Sequence, residues 1–550
     1  MAGTFVIGEK KVRPGTYFRR TTDGSVSTAG AINGITAAMF AANWGPLNKE
    51  FDLDISMQNE LTDYYGNGTA ILKEAFKGGA TTIRAVRVGS DDGEVSKLIL
   101  KGTKTVTKVI EVDNFDDVDD DFVIDGDNPV DDDIDEIEEQ GEEIIDDLDS
   151  GTTTETTIIP TTTETSTTPS TTPTVTVTTE TTTETVVFDA VEISAAYVGD
   201  RAFTASIRTN LITEQRQLVI YEGTEIFAQV NFTAGENEAS SLVAAIKANK
   251  NFNARLIEDG TLNDITQVSM EGGKNPSVYV SSYDKGTNVL ERYKWNCLIS
   301  DTDDAAVAGV LDAFADQSYE MGHLGMVCIG GKSSQALEDR IQFAATFNDE
   351  KIVYVLNGWR GNDGNDYEGY LAAARIGGMV SSFEANTSIT HDVISGATEL
   401  IEPLTNGEII KAEQKGCLVL SLNDSDQVQI DSAINTLVTP DANMDEGWKK
   451  IRRTKTRFEL MDRVNSTVDK LIGKINNDQD GRQTIIAAAQ SVINEMVREK
   501  KLMFGSYVYE DDGHPAEGDS AWFILDILDI DSAEHIYLTY RFRFGQSFDE

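Results

Sequence analysis

The chain has 550 residues and a formal net charge of −47, from 93 acidic and 46 basic side chains. This length allows two to four domains with sizeable cores. So negative a charge argues against nucleic acid or an anionic membrane as a partner. The three cysteines, Cys297, Cys328 and Cys417, are too widely spaced for a disulfide framework or a CxxC metal site. We therefore expect buried free thiols.

The N-terminal segment, residues 1–25, is polar and lacks the apolar core of a signal peptide. Residues 31–47 then predict a buried strand that ends at a Trp-Gly-Pro turn. A helix is predicted over 61–79, and residues 80–88 alternate as a strand. The order strand, helix, strand is typical of the start of an α/β domain. No window approaches the roughly 18 apolar residues that a membrane helix needs.

A β-rich domain with one helix is predicted over 98–110 and 187–285, interrupted by an insertion over 111–186. The insertion consists of an acidic block followed by a threonine-rich block. Residues 111–200 hold 28 acidic and no basic side chains, which leaves a net charge of −19 for the rest of the chain. Loops tolerate long insertions because closure entropy grows only logarithmically with length. A solvated segment, weak cation binding, an O-glycosylated spacer and threonine β-strands all remain open.

From Trp295 onward, short apolar strands alternate with helices. Strands are predicted over 295–301, 324–331 and 351–358, and each is followed by a helix. This pattern indicates a parallel sheet covered on both faces. The predicted fold class is therefore α/β and α+β multidomain, with a core domain formed by residues 26–97 and 286–440.

The C-terminal domain is predicted over 441–534, with helices at 453–475 and 481–502 and a strand at 521–530. A last strand is predicted over 535–544, where apolar residues at 536, 538, 540, 542 and 544 alternate with polar ones. A strongly alternating strand at the end of a chain is free to pair with another chain.

The residues that could support catalysis fit no enzyme class. Gly330-Gly331-Lys332-Ser333 follows a strand, but a phosphate-binding loop requires a glycine where this chain has Met326. His391-Asp392 is the least implausible general base, yet it is not near a nucleophile motif. The remaining histidines are His323, His514 and His535. We predict no catalytic, cofactor-binding or metal-binding residue and no enzymatic activity.

One basic cluster stands out in this acidic chain. It consists of Lys449, Lys450, Arg452, Arg453, Lys455 and Arg457. The cluster is interpreted either as a solvated helix start with internal ion pairs or as a surface that contacts an acidic protein.

Several segments, in order, carry a resemblance to a known family. They include RPGTYFRR, AAMFAANWGPLNKEFDL, AAYVGDRAFTASI, WNCLISD and the most specific run, IRRTKTRFELMDRVNSTVDKLIGKINNDQDGR. The chain ends in HIYLTYRFRF. In this order, the segments resemble the contractile tail sheath family of bacteriophages and related bacteriocins.

The resemblance implies a structural protein without cofactors, whose core resembles a subtilisin-like fold that lacks protease chemistry. Subunits would form hexameric rings stacked helically around a tail tube, in a metastable extended state that contracts to drive the tube through the target envelope. The implied partners are further copies, the tube protein, and baseplate and tail terminator proteins, without direct nucleic acid contact or membrane insertion. The implied location is the virion tail or a phage-tail-like particle, assembled in the host bacterial cytoplasm.

The resemblance also implies roles for particular residues. The N-terminal arm (1–25) and the C-terminal arm (535–550) would add strands to the sheets of neighbouring subunits. The implied strand residues are Gly15, Thr16, Tyr17, Phe18 and Arg19, and Ile536, Tyr537, Leu538, Thr539, Tyr540, Arg541 and Phe542. The basic cluster becomes a candidate contact with the tube. The insertion has no counterpart in the common sheath pattern, and we expect removal of 112–186 to leave assembly intact. An extracellular adhesin with a threonine-rich stalk is the alternative.

Overall fold

The computed structural model describes residues 2–4, 16–18, 33–113, 157–158, 177–210, 215–442 and 444–542. The chain divides into two compact units. Unit 1 comprises residues 1–94, 197–201 and 273–550, and unit 2 comprises residues 95–196 and 202–272.

The α-helices are labelled in chain order. They are α1 Leu61–Tyr65, α2 Ala70–Lys77, α3 Glu238–Ile246, α4 Val280–Leu290, α5 Ala305–Glu320, α6 Leu337–Phe347, α7 Tyr370–Ser382, α8 Asn406–Gln414, α9 Ile451–Val468 and α10 Gln479–Arg498. Short 3-10 helices lie at Ile55–Met57, Glu446–Lys449 and Asp469–Leu471.

The strands of the first half of the chain, including both strands near the N-terminus, are as follows. They are β1 Ala2–Thr4, β2 Thr16–Phe18, β3 Ile35–Phe40, β4 Glu50–Asp54, β5 Thr82–Arg87, β6 Lys97–Asp113, β7 Thr157–Ile158, β8 Val177–Ala195, β9 Thr204–Thr209, β10 Arg216–Glu222, β11 Glu225–Phe232, β12 Phe252–Leu256, β13 Thr261–Leu262 and β14 Ile265–Ser269.

The remaining strands all belong to unit 1. They are β15 Cys297–Ser300, β16 Met326–Gly330, β17 Ile352–Val355, β18 Trp359–Gly361, β19 Asp366–Tyr367, β20 Ala397–Leu400, β21 Cys417–Leu418, β22 Leu420–Leu422, β23 Val428–Ile430, β24 Tyr507–Glu510 and β25 Phe523–Asp526.

Unit 1 is built on a seven-stranded sheet in the order β21-β17-β16-β15-β3-β5-β4. All neighbours in it are parallel except β4, which runs antiparallel to β5. One apolar cluster packs α2 and α7 on one face, and a second packs α4 and α5 on the other. The central strands β3, β15, β16 and β17 of this sheet are buried on both faces, which explains their nearly continuous apolar sequence. The expected mixed α/β, multidomain architecture is confirmed, and the subtilisin-like identity of the core stays a prediction.

The helix predicted over 61–79 is divided into α1 and α2. Gly66 interrupts it with a φ of 61°, in the left-handed region that favours glycine. At Gly68, a Cβ atom would lie 2.2 Å from the carbonyl oxygen of Ala41. The break therefore lets the loop between the two helices approach the end of β3 closely.

In unit 2, β6 and β8 form a long antiparallel ribbon, from the pair Lys97–Ser194 to the pair Asp113–Val177. Within the insertion predicted over 111–186, residues 111–113 and 177–186 are therefore paired strand, and the bounds of the insertion stay a prediction. Threonines suit this role, since β-branched side chains favour extended backbone. Residues 114–156 and 159–176, which hold the acidic block and most of the threonine block, lie outside the described residues.

The C-terminal part of unit 1 packs α9 and α10 against the antiparallel pair β24–β25. The strand predicted over 521–530 is present as β25. Residues 535–542 belong to no strand within this single chain, and residues 543 and 544 lie outside the described residues.

Candidate assembly surface

The carboxyl edge of the parallel sheet is the usual position for a ligand site, at the point where strand order reverses. Here that point lies between β3 and β15. Asp301, which follows β15, accepts hydrogen bonds from the Ala41 amide at 2.7 Å and from the Tyr283 hydroxyl at 2.5 Å. Burial raises the pKa of Asp301. These two hydrogen bonds join the two sides of the crevice. They occupy both oxygens of the carboxylate that faces it.

The Gly330-Gly331-Lys332-Ser333 motif lies beside the N-terminus of α7. Asp303 accepts a hydrogen bond from the Tyr370 amide at 2.6 Å, and Lys332 Nζ lies 2.6 Å from the other oxygen of that carboxylate. A Cβ atom on Gly330 would lie 2.2 Å from the carbonyl oxygen of Gly369. The protein's own carboxylate thus occupies the helix end that an anion would bind, and the first glycine permits close packing.

The histidines lie apart from any nucleophile. Among the described residues, no hydrogen bond joins a histidine ring to a serine hydroxyl or a cysteine thiol, and His514 Nδ1 lies 2.8 Å from a carboxylate oxygen of Asp511. His391 is exposed, with a φ of 64°. The described ranges contain no cluster of His, Cys, Asp and Glu able to hold a metal ion. No helix in those ranges is long and apolar enough to span a membrane.

The cysteines are buried free thiols, as expected. Cys297 and Cys328 lie on the neighbouring strands β15 and β16, with 3.3 Å between their sulfur atoms.

The basic cluster lies at the start of α9, and most of it is buried. Arg452, Arg453, Lys455 and Arg457 are between 1% and 5% exposed. These four side chains are therefore largely covered within the single chain. Contact of the cluster with a tube stays a prediction for all six residues, of which Lys449 and Lys450 have side chains about one-fifth exposed.

Lys455 is the most deeply placed member of the cluster. Its ammonium group donates to the carbonyl oxygens of Val380 and Ser381 at 2.9 and 3.1 Å, and to that of Phe383. These carbonyls lie at the C-terminus of α7, where a cation is favoured by the helix dipole. Burial nevertheless lowers the pKa of Lys455 to about 7. Lys455 therefore ties α9 to a helix of the α/β core.

The C-terminal segment forms the most exposed apolar surface among the described residues. Residues 535–542 leave unit 1 without strand pairing. Exposure is 72% for Ile536, 69% for Leu538, 74% for Tyr540 and 92% for Phe542. Such a segment is suited to adding a strand to another sheet, because its apolar residues alternate.

A matching edge is present on the same domain. The sheet β24–β25 has two strands. Gln490 covers part of the outer edge of β24, since it accepts from the Val508 amide at 3.0 Å and donates to the Ser506 carbonyl oxygen at 3.1 Å. The outer edge of β25 has no strand neighbour within the described residues. Exposed aromatic and apolar side chains stand nearby: Met503 at 51%, Phe504 at 94%, Tyr507 at 50% and Tyr509 at 38%. The sequence does not reveal this surface, because its exposed apolar residues do not alternate over a long run.

Near the N-terminus, the predicted arm contains two short strands. β1 and β2 pair in parallel, with Ala2 opposite Thr16 and Thr4 opposite Phe18. Gly15 and Arg19 lie outside the described residues.

One segment of the core domain matches a known protein family. Residues 276–436 match the central domain of phage tail sheath proteins. This match covers less than a third of the chain and runs from before α4 to beyond β23. The tail sheath resemblance that the sequence predicts is thereby confirmed.

Two solved structures extend the similarity to most of the chain. The sheath tail protein of Desulfitobacterium hafniense is 14% identical, with a TM-score of 0.61 over 94% of this chain and all of that one. The sheath tail protein of Listeria innocua is 15% identical, with a TM-score of 0.58 over 91% and 96%. At these identities, the similarity shows a common fold. No curated protein sequence matches the chain.

Proposed function

We propose that this protein is the structural subunit of a contractile tail sheath, with no catalytic role. The match of its core to the tail sheath central domain carries this proposal. The fold shared with two sheath tail proteins supports it. The interactions that close the crevice at Asp301 favour a structural core over an active site.

In the proposed assembly, hexameric rings stack helically around a tail tube. Residues 536–542 of one copy add a strand to the open edge of β24–β25 in another copy. Backbone hydrogen bonds supply the connection, and the alternating apolar side chains set the register. Residues 15–19 are proposed to act as the second arm. The N- and C-terminal arms keep copies connected while subunits move during contraction.

Contraction is proposed to be driven by surface newly buried between copies, which removes the need for a nucleotide. The proposed partners are the tail tube, baseplate and tail terminator proteins. The proposed location is the tail of a virion or of a phage-tail-like particle.

Negative-stain electron microscopy of the purified full chain tests the proposal. We expect striated tubes or stacked rings at high protein concentration. Monodisperse single copies at every concentration and salt condition would contradict it. An adhesin with a threonine-rich stalk would give such single copies.

A further inference from the structure

The base of the C-terminal segment, residues 529–534, lies against the basic start of α9. Arg453 donates two hydrogen bonds to Asp529, from Nε at 2.5 Å and from Nη2 at 3.0 Å. Lys450 Nζ lies 2.9 Å from an oxygen of Asp531 and 3.1 Å from one of Glu534. Contacts at Asp529, Asp531 and Glu534 thus hold this short segment before the chain becomes exposed at residue 535.

Backbone and hydroxyl groups complete these contacts. Arg452 donates to the carbonyl oxygen of Ile530 at 2.6 Å. Glu534 also accepts from Ser532 at 2.7 Å and from Ser388 at 3.1 Å. A two-fold hydrogen bond between a buried arginine and a carboxylate is among the stronger polar contacts in proteins, and it fixes orientation as well.

The same helix is also anchored in the α/β core. Arg457 donates to Glu350 at 2.5 Å, and Thr456 donates to the carbonyl oxygen of Ala385 at 2.8 Å. Ile451 and Phe458 belong to the apolar cluster that contains α2 and α7. The helix is therefore bonded both to the core and to residues 529–534.

We propose that Lys450, Arg452 and Arg453 form a clasp that fixes the base of the exposed segment to α9, so that a pull on residues 535–542 is carried by the α/β core. Without the clasp, the same pull would act directly on β25. That strand is held in a two-stranded sheet, which is a weak structure by itself. The origin of the pull in a neighbouring copy rests on the proposed sheath function, whereas the clasp belongs to the single chain.

Hydrogen exchange of the full chain, measured by mass spectrometry, tests the clasp. The informative amides are Met503, which donates to the Leu528 carbonyl oxygen at 2.7 Å, and Leu528, which donates to Ser506 Oγ at 2.8 Å. In Arg453→Gln, we expect both to exchange about tenfold faster, because one partner of a buried pair is lost. Arg453→Gln combined with Asp529→Asn is expected to add little to this.

Arg482→Gln is the matched control. Arg482 lies 2.8 Å from Glu510 of β24, so this variant removes an ion pair of the same sheet that does not involve residues 529–534. Lys450→Gln removes only the outer contacts, to Asp531 and Glu534, and so provides a second variant in case Arg453→Gln fails to fold. An equal acceleration in the Arg482 variant would overturn the proposal. Unchanged exchange in both the Arg453 and Lys450 variants would overturn it as well.

Optical tweezers test the load path, with one handle on Asn288→Cys in α4 and the other at the end of the chain. We expect the first opening event of Arg453→Gln at lower force than that of the parent chain, with the Arg482→Gln chain unchanged. Equal forces in all three would show that the clasp carries no load. Both experiments use single copies, so a chain that never forms tubes would refute the sheath function separately.

Discussion

Arg457 of α9 and Glu350, which precedes β17, form a buried ion pair with 2.5 Å between their atoms. The two side chains are 3% and 6% exposed, and the Arg457 guanidinium lies 3.6 Å from the centre of the Trp448 ring. This pair joins residues that are 107 positions apart in the sequence. It fixes the start of α9 to the central sheet.

Replacement of Arg457 by Met is expected to lower the free energy of unfolding of unit 1 by about 3 kcal/mol. The loss arises because the buried Glu350 carboxylate no longer has the Arg457 guanidinium as its ion-pair partner. Thermal and denaturant unfolding, followed by circular dichroism, measure it. Glu350→Leu added to Arg457→Met should recover part of the loss. Arg360→Gln, which removes an exposed pair, should change stability little. A similar loss of stability in Arg457→Met and in Arg360→Gln would contradict the role given to the buried pair.

Stability should also depend on Glu413 in a pH-specific way. Burial and the nearby charge of Asp431 raise the pKa of Glu413 from an ordinary value of 4.5 to about 7. A carboxyl whose pKa is raised by folding stabilises the folded state only while it is protonated. Its contribution is lost as the pH rises from about 4.5 through 7.

Glu413→Gln is therefore expected to raise the free energy of unfolding by about 1–2 kcal/mol at pH 8, after allowance for partial exposure. At pH 4.5, it should have little effect. Melting temperatures of both proteins across this pH range provide the measurement. An equal gain in the free energy of unfolding at pH 4.5 and at pH 8 would show that the charge of Glu413 is not its cause.

Deletion of 536–550 should leave a folded chain that does not polymerise. The side chains of Ile536, Leu538, Tyr540 and Phe542 are mostly exposed, so their loss costs the single copy little stability. Electron microscopy and melting temperature report assembly and folding separately. A milder pair of variants compares the two faces. Ile536→Ser with Leu538→Ser should block assembly, whereas Thr539→Ser should not. Normal tubes from the deleted chain would exclude the arm.

The insertion offers a test of its boundaries. Removal of 114–176, with Asp113 and Val177 joined through an Asn-Gly turn, should keep the β6–β8 ribbon and leave assembly intact. For the wider deletion of 112–186, the sequence alone led us to expect intact assembly. The β6–β8 pairing changes this expectation, because the deletion removes the partners of 104–111 and exposes an unpaired strand edge, which favours aggregation. Size-exclusion chromatography and electron microscopy distinguish the two. Loss of tubes in the narrow deletion would show that the insertion is needed for assembly.

Much of the core could be predicted from local patterns. The apolar runs at 295–301, 324–331 and 351–358 became β15, β16 and β17, because strands buried on both faces require apolar residues throughout. Helix ends were less predictable, as the division between α1 and α2 shows. That break depends on the close approach of Gly68 to Ala41, a contact between segments that the sequence does not place together.

The residues of the candidate surface also fall into those that the sequence could predict and those that it could not. By itself, the sequence determined the alternation of residues 536–542, because side chains of an extended chain point to opposite sides regardless of context. Only the tertiary structure decided the position of Arg453, Lys455 and Arg457. Their charge suggests a surface, yet carboxylates and carbonyl groups from distant segments surround them. A buried charge is stable only where such partners converge, and convergence is a property of the folded chain.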